Sequence, residues 1–166
     1  ITTENKKFIR DGNMGAMLNV YTVEGTKKLQ KIAVEETRLG IPLLFGYDVI
    51  HGFKTIFPIN LGLAASWDID DIQNGARIAA EEASSAGIHW TFAPMLDVSR
   101  DPRWGRISES AGEDVFLTSK ISKAYVRGFQ GEDLSKNNTI LACAKHFVGY
   151  GAAQAGRDYH TVNMSI

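Results

Sequence analysis

Several features that identify whole classes of protein are missing or scarce in this sequence. Its 166 residues include one cysteine, Cys143, so an internal disulfide cannot form. Lysine and arginine number 18 against 19 acidic residues, a formal net charge of -1, which offers no basic surface for nucleic acid or an anionic membrane. No apolar run approaches the roughly 20 residues that a bilayer-spanning helix needs. We therefore predict neither a nucleic acid nor a membrane as partner.

Motifs that would point to a metal or a cofactor are also missing. The four histidines, His51, His89, His146 and His160, are far apart and form neither an H-E-x-x-H motif nor a Cys/His cluster. There is no G-x-S-x-G nucleophile elbow. Gly149-Tyr150-Gly151 begins a dinucleotide-binding fingerprint, but Gln154 occupies the position of the third glycine. The sequence predicts no metal site and no cofactor.

What the sequence does contain is a core-forming composition and a regular alternation of element types. Hydrophobic residues make up 44% of the chain and charged residues 22%. Short apolar runs predict buried strands, and segments with apolar residues at helical spacing predict helices between them. The predicted strands are 15–20, 43–49, 88–93 and 139–147; the predicted helices are 26–39, a second from Asp68 to Gly87 and a third from Asp114 to Gly131.

This alternation predicts an α/β fold with a parallel sheet covered by helices. An open doubly wound sheet and a closed eight-stranded barrel both fit the pattern, but the incomplete glycine fingerprint disfavours the first. A (β/α)8 barrel usually needs about 250 residues. We therefore expect a partial (β/α)8 barrel of about the first four strand–helix units, with no Pro-, Gly- or Ser-rich linker.

Polar residues accumulate where the predicted strands end. In a barrel of this kind the functional site lies at the carboxyl ends of the strands. Each residue has an ordinary structural interpretation too: Asp48 can cap a turn, and residues 100–106 can form a surface ion-pair network. Lys145 and His146 are harder to explain in that way, because they continue an apolar strand and must be paired or face a cavity. The candidates are Asn19, Asp48, His51, Asp97, Arg100, Asp101, Arg103, Arg106, Glu109, Lys145 and His146.

The mixture of charges in this set indicates a neutral ligand with many hydroxyl groups. Charged side chains make strong hydrogen bonds to neutral hydroxyls, and a ring such as that of Trp104 can cover the apolar face of a sugar. A phosphate would suit the arginines and the lysine, but Asp48 and Asp97 would repel it.

Four segments resemble glycoside hydrolase family 3. They are GYDVIHG (46–52), FPINLGLAASWD (57–68), FAPMLDVSRDPRWGRISESAGED (92–114) and AKHFVGYGAAQAG (144–156). The resemblance extends from about residue 10 to the end of the sequence, and DPRWGR followed by KHF makes it specific. It is strongest to the bacterial, often periplasmic, β-glucosidases of that family.

The resemblance implies a role for each matching residue. Asp48 would accept hydrogen bonds from distal hydroxyls of the non-reducing-end glucose, and Arg106, Lys145 and His146 would hold the other hydroxyls of that ring. Glu109 would orient Arg106 or Lys145. Asp97 would likewise contact the binding residues rather than the sugar. The Lys-His-Phe segment is also expected to contain a non-proline cis peptide bond after Lys145, His146 or both.

The resemblance also implies that residues 1–166 are the N-terminal portion of the barrel domain. The family uses a retaining mechanism with two carboxylates. Its nucleophile is an Asp of a later Ser-Asp-Trp-like segment, and its acid/base usually comes from a following α/β sandwich domain. Neither part matches anything here, so we expect no catalytic residue in this chain, and no activity from it in isolation.

The substrate implied is a β-linked glucoside or gluco-oligosaccharide, and three alternatives remain open. The N-acetylglucosaminidase branch of the family resembles KHFPGHG followed by Asp-Ser-His. Here KHFVGYG lacks the proline and the second histidine, and Asp158-Tyr159-His160 stands about two residues too far along. A β-xylosidase and a catalytically inert sugar-binding fragment are the others. The resemblance further implies a periplasmic or secreted location and allows a homodimer of the full-length enzyme.

Overall fold

A computed structural model describes residues 2–165 of the chain, with helices packed against short parallel strands. In chain order the elements are α1 (Thr3–Arg10), β1 (Ala16–Leu18), α2 (Val23–Glu35), β2 (Leu44–Gly46), α3 (Asn60–Ser66), α4 (Ile69–Ser85) and α5 (Val115–Gln130). Three short 3-10 turns are also present, Ile107–Glu109, Tyr150–Ala152 and Gln154–Gly156. None of the helices within residues 2–165 is long and apolar enough to cross a bilayer.

The extended segments run parallel and neighbour one another in chain order. β1 pairs with β2, with Met17 opposite Phe45. Single parallel bridges then join Gly46 to Trp90 and Trp90 to Leu141. The predicted strands 88–93 and 139–147 are therefore present as extended segments, but they make isolated bridges rather than continuous ladders. The strand predictions 15–20 and 43–49 were too long, because only three residues of each lie in a ladder.

The helices predicted around Asp68 and Asp114 are confirmed as α4 and α5. Asp68 accepts a hydrogen bond from the Asp71 N–H, and Asp114 accepts one from the Leu117 N–H, so each caps its helix as its position predicts. The helix predicted at 26–39 instead spans Val23–Glu35. Thr22 caps its start.

Thr37 explains why α2 ends before the predicted stop at Gly40. Its hydroxyl donates to the Ala33 carbonyl and accepts from the Gly40 N–H. These bonds replace the backbone bonds of a further helical turn, as hydroxyl side chains often do. Helices α1 and α3 were not predicted. A capping box of Thr2 and Asn5 begins α1. The usual capping-box pattern has Glu or Gln at the third helical position, whereas this chain has Asn5 there, so the pattern did not predict this helix.

The core lies between the sheet and three long helices. Helix α2 contributes Leu29 and Ile32, β2 contributes Phe45, and α4 and α5 pack on each other through small and aromatic side chains. Gly128 in α5 allows this close approach, since a Cβ there would lie 2.5 Å from the Ala76 Cβ. This layer of helices fixes the sheet and so determines where the strand ends project their side chains.

Candidate functional site

Six charged or imidazole side chains lie at the strand ends. They form two neighbouring groups, each held together by its own side-chain contacts. Asp48 follows β2, and Asp97 follows the third extended segment. Lys145 and His146 end the fourth, where the Lys145 backbone bridges that of Met95 in parallel. Arg106 and Glu109 come from the loop after the third segment, which turns back over the strand ends. The residues to which the family resemblance gives roles in sugar binding or in support of it are therefore neighbours. They are Asp48, Asp97, Arg106, Glu109, Lys145 and His146.

The first group is the pair formed by Asp48 and Lys145. The Lys145 Nζ lies 3.4 Å from the Asp48 Oδ2, at the long end for a hydrogen bond. The other oxygen, Oδ1, accepts from the Ile50 N–H at 3.0 Å, which fixes the carboxylate beside β2. The Asp48 side chain is 43% exposed. Both groups can therefore hydrogen-bond to a ligand without breaking a short bond between them.

The second group is organised around His146. Asp97 is buried, with only 2% of its side chain exposed, and its Oδ2 accepts from the His146 backbone N–H at 3.1 Å. The same oxygen lies 2.9 Å from the His146 Nδ1. Because Nδ1 faces a carboxylate, it carries a proton, and the ring presents its Nε2 toward Arg106 and the rim. Asp97 thus fixes both the backbone and the ring of His146.

Arg106 is held by a two-pronged contact with Glu109. Its Nε lies 2.5 Å and its Nη2 2.7 Å from the two carboxylate oxygens. Its remaining nitrogen, Nη1, lies 3.5 Å from the His146 Nε2. Two parallel bonds fix the plane of a guanidinium group, so Glu109 determines which N–H groups face outward.

This ion pair shifts the pKa of both partners. The Arg106 guanidinium holds the pKa of Glu109 below its usual value, and nearby Lys145 and His51 act in the same direction. In return, the Glu109 carboxylate raises the pKa of Arg106. Both groups are therefore charged throughout the physiological pH range. Three carboxylates thus stand beside Arg106, Lys145 and an imidazole, a near balance of charge that suits a neutral ligand.

Other candidates of the loop after the third segment lie apart from this cluster. Asp101 and Arg103 pair with each other through two bonds, of 3.0 and 2.7 Å. The Arg103 guanidinium lowers the pKa of Asp101 to about 2. Arg100 donates to the Asn163 carbonyl. The interpretation of residues 100–106 as a surface ion-pair network therefore holds for Asp101 and Arg103, whereas Arg106 belongs to the cluster.

Two residues that support the cluster were not predicted. Tyr150 packs against both His146 and Arg106. From the sequence it was expected only as part of an incomplete glycine fingerprint and as the residue in place of the second histidine of KHFPGHG. Asn60 is buried; its amide nitrogen donates to the Glu109 carbonyl and its amide oxygen accepts from the Tyr125 hydroxyl. The sequence offered one signal for this role: Asn60 is a polar amide among the apolar residues of FPINLGLA, and a buried amide needs hydrogen-bond partners.

The backbone around His146 contains the predicted non-proline cis peptide bond. The bond between Lys145 and His146 is cis, and so is the bond between Phe147 and Val148. The first confirms the prediction. The second lies one residue beyond the alternative position after His146.

The cluster lies at the carboxyl ends of the parallel segments. A cavity of about 600 Å³ lies near the opposite ends of the strands, beside Gly15 and Pro42, and contains none of the six residues. Within residues 2–165, no three His, Cys, Asp or Glu side chains are grouped so that they could hold a metal ion. The six side chains are arranged so that several of them can hydrogen-bond to the hydroxyl groups of a ligand.

Comparison with known proteins adds a family to this geometry. The whole of residues 1–166 matches the glycosyl hydrolase family 3 N-terminal domain. A periplasmic β-glucosidase of Salmonella typhimurium is 44% identical over 160 residues, covering 96% of this chain and 21% of that protein. A periplasmic β-glucosidase/β-xylosidase of Dickeya chrysanthemi is 38% identical, covering 84% of this chain and 23% of that protein.

Solved structures give the same result. The crystal structure of a β-glucosidase from Listeria innocua aligns with a TM-score of 0.89 and 49% identity, over 92% of this chain and 22% of that chain. The chain thus spans about a fifth to a quarter of the length of these relatives. The α/β fold, the six clustered side chains and these matches together show that the chain belongs to glycoside hydrolase family 3.

Proposed function

We propose that this chain supplies the glucose-binding part of a retaining β-glucosidase, which removes terminal non-reducing β-D-glucosyl residues from β-glucosides. The observation that carries the proposal is that two pairs, Asp48 with Lys145 and Arg106 with His146, lie side by side at the strand ends. Their donors and acceptors are charged, nearly balanced and partly exposed, as recognition of neutral hydroxyl groups requires. The β-glucosidase names of the relatives support the same activity.

Each side chain of the cluster has a part in binding one glucose ring. Asp48 accepts from two neighbouring hydroxyls, while Lys145 and Arg106 donate to ring hydroxyls on either side. His146 accepts through Nε2, because its Nδ1–H is directed at Asp97. Asp97 and Glu109 contact these residues rather than the sugar, and they hold His146 and Arg106 in orientation. Preset donors of this kind reduce the entropy lost when substrate binds.

The bond-breaking carboxylates belong, in this proposal, to parts of the protein other than residues 1–166. A retaining enzyme places a nucleophile and an acid/base about 5–5.5 Å apart across the scissile bond. In the cluster, Asp97 and Glu109 are instead committed to His146 and Arg106, and Asp48 is assigned to the sugar hydroxyls. Residues 1–166 would then be the N-terminal portion of the catalytic domain, and later segments would complete the site.

The architecture proposed for that domain is a (β/α)8 barrel, of which this chain forms about four units. The parallel segments neighbour one another in chain order, through β1, β2, Trp90 and Leu141. A doubly wound sheet would reverse its strand order at some point, whereas a barrel keeps it. The clustering of site residues at the carboxyl ends fits either architecture, so the strand order is the observation that favours a barrel.

The decisive experiment is hydrolysis of an aryl β-glucoside by the full-length enzyme and by the 166-residue chain, with the intact mass of each sample measured. We expect hydrolysis with retention of configuration by the full-length enzyme alone. Activity at a mass of 18.2 kDa would mean that the catalytic carboxylates are among these residues. An inactive full-length enzyme that still binds glucose would favour an inert sugar-binding protein.

A β-xylosidase is the second candidate, because one relative is named a β-glucosidase/β-xylosidase and another, from Formosa agariphila, a β-xylosidase at 32% identity. A xyloside lacks the hydroxymethyl group of glucose, so the two activities differ by what surrounds that group. Comparison of kcat/KM for aryl β-glucoside and aryl β-xyloside separates them. A higher value for the xyloside would overturn the glucosidase assignment.

The N-acetylglucosaminidase alternative requires an Asp–His pair, and the geometry does not favour one. Asp158 accepts a hydrogen bond from the Trp104 indole N–H at 2.9 Å, while His160 is exposed. Replacing His160 with Ala in the full-length enzyme is the test. We expect kcat to change by less than about threefold, whereas loss of a general acid/base would lower it about 100-fold or more.

A periplasmic or secreted location is proposed from the names of the Salmonella and Dickeya relatives. The substrates proposed are β-linked glucosides or gluco-oligosaccharides. A crystal structure of the Listeria innocua β-glucosidase holds laminaribiose, and another holds glucose. A homodimer of the full-length enzyme remains a proposal that light scattering can test.

A further inference from the structure

Tyr150 lies at the centre of an aromatic group behind the site. Its ring centroid is 4.6 Å from that of His146, with the rings at 80°, an edge-to-face contact. The Arg106 guanidinium carbon lies 5.5 Å from the centroid of the Tyr150 ring, over its face. Tyr150 thus contacts, through one rigid side chain, two of the residues assigned to sugar binding. Aromatic–aromatic and cation–π contacts of this geometry are attractive and directional.

Trp104 and Asp158 hold Tyr150 from the other side. Trp104 is only 1% exposed, so the expectation that its ring covers a sugar face is wrong. Its ring instead meets that of Tyr150 at 5.1 Å and 82°. The Trp104 indole N–H donates to Asp158 at 2.9 Å, which fixes the position of the indole. The ring of Tyr159 lies 5.4 Å from Tyr150. The Tyr150 ring is therefore confined on this side by the rings of Trp104 and Tyr159.

The phenol hydroxyl of Tyr150 lies near Arg106, Asp158 and Tyr159. It is buried, and no group within residues 2–165 meets it at hydrogen-bonding geometry. Tyr159 and Asp158 lie near enough to add to the rise in the pKa of Tyr150 that burial causes. The hydroxyl is therefore neutral at physiological pH. Arg106 also lies near the hydroxyl, but the contacts with a defined geometry are those of the ring with His146 and Arg106.

We propose that Tyr150 is a positioning residue, whose ring sets the orientation of the His146 imidazole and the Arg106 guanidinium toward substrate. The inference rests on the proposed glucose-binding function of those two residues. Without the ring, His146 keeps its bond to Asp97 and Arg106 keeps Glu109, but the edge of the imidazole and one face of the guanidinium lose their support. Both side chains then sample orientations that do not fit the sugar.

Three variants of the full-length enzyme test this proposal with an aryl β-glucoside. Tyr150→Leu removes the ring and should raise KM about tenfold, while kcat per active site changes by less than about threefold. Tyr150→Phe keeps the ring and should restore most of the lost kcat/KM. Phe129→Leu, in the core of α5, should lower Tm without raising KM. If Tyr150→Leu fails to fold, Tyr150→Met replaces it.

A purely structural Tyr150 would give a different pattern. The Leu variant would then lose Tm and active-enzyme concentration with an unchanged KM, as Phe129→Leu does, and this result would overturn the proposal. Equal losses of kcat/KM in the Phe and Leu variants would also overturn it, because the hydroxyl would then be the important group.

A crystallographic readout separates this proposal from the proposed function. If the wild-type enzyme does not hydrolyse the aryl β-glucoside, the β-glucosidase assignment fails, but structures of the variants still test Tyr150. We expect the 3.5 Å approach of the Arg106 Nη1 to the His146 Nε2 to be lost in Tyr150→Leu and kept in Tyr150→Phe. An unchanged arrangement in the Leu variant would overturn the positioning role.

Discussion

The two aspartates of the site differ in what surrounds them, and so in what their replacement should do. Asp48 is largely open to solvent and has a distant lysine partner. Asp97 is buried, and its charge is tolerated there because one oxygen faces both the backbone and the ring of His146. Substitution of Asp48 should therefore affect ligand binding, whereas substitution of Asp97 should affect stability and binding together.

The Asp48→Asn substitution should lower kcat/KM for an aryl β-glucoside by about 10- to 100-fold, since it removes charge-assisted hydrogen bonds to substrate. Tm should hardly change, because the carboxylate is exposed. The measurement is steady-state kinetics and thermal unfolding of the full-length enzyme. Asp101→Asn is the matched control, because Asp101 pairs with Arg103 outside the cluster. Equal kcat/KM in the two variants would contradict the role of Asp48.

Glu109→Gln should reduce stability in a pH-dependent way. The folded-state pKa of Glu109 lies below its unfolded value, so the carboxylate stabilises the fold fully above about pH 4.3 and loses this effect as pH falls through the lower folded pKa. The Tm difference from wild type should therefore be constant near neutrality and shrink upon acidification below pH 4. Exposed Glu113, replaced by Gln, is the control. A pH-independent difference would refute the ion-pair explanation.

At the level of elements, the close contact of α4 and α5 predicts opposite effects for two helical glycines. Gly128→Ala should destabilise the protein by about 1–3 kcal/mol, because its Cβ would meet the Ala76 Cβ and the Gln73 carbonyl oxygen, each at 2.5 Å. Gly75→Ala has Phe57 ring atoms at 3.5 Å as its nearest neighbours, so the gain in helix propensity, up to about 1 kcal/mol, should dominate. Chemical denaturation of both variants measures the difference. Similar effects of the two substitutions would show that packing between the helices is looser than described.

At the scale of the whole molecule, one face of the sheet leaves large apolar side chains exposed. Leu18 is 56%, Leu44 45% and Leu141 39% exposed, and Phe147 in the site segment is fully exposed. Apolar patches of this kind favour association. We expect the 166-residue chain, prepared alone, to self-associate and to lack glucosidase activity. A monodisperse 18.2 kDa monomer in light scattering would contradict the first expectation.

The sequence by itself determined those features that depend on near neighbours along the chain. The caps Asp68 and Asp114 precede apolar residues at helical spacing, so α4 and α5 could be predicted almost to the residue. The family resemblance singled out six residues that the fold then brings together, and DPRWGR and KHF are the specific motifs among the matching segments. The sequence could not give strand lengths, since a ladder depends on how long two distant segments remain in register. The third and fourth predicted strands accordingly appear as single bridges.

Only the tertiary structure decided which polar residues belong together. Asp101 and Arg106 are five positions apart in one loop, yet the first pairs locally with Arg103 while the second reaches His146. The contribution of Tyr150 depends on the chain folding its ring between Trp104 and His146, 46 and 4 positions away. Contacts of this kind arise from the packing of loops on a sheet, where side-chain direction is set by the whole fold. Local sequence and the family resemblance therefore predicted which residues to examine, and the fold determined which of them lie together, because contacts between distant residues depend on tertiary packing.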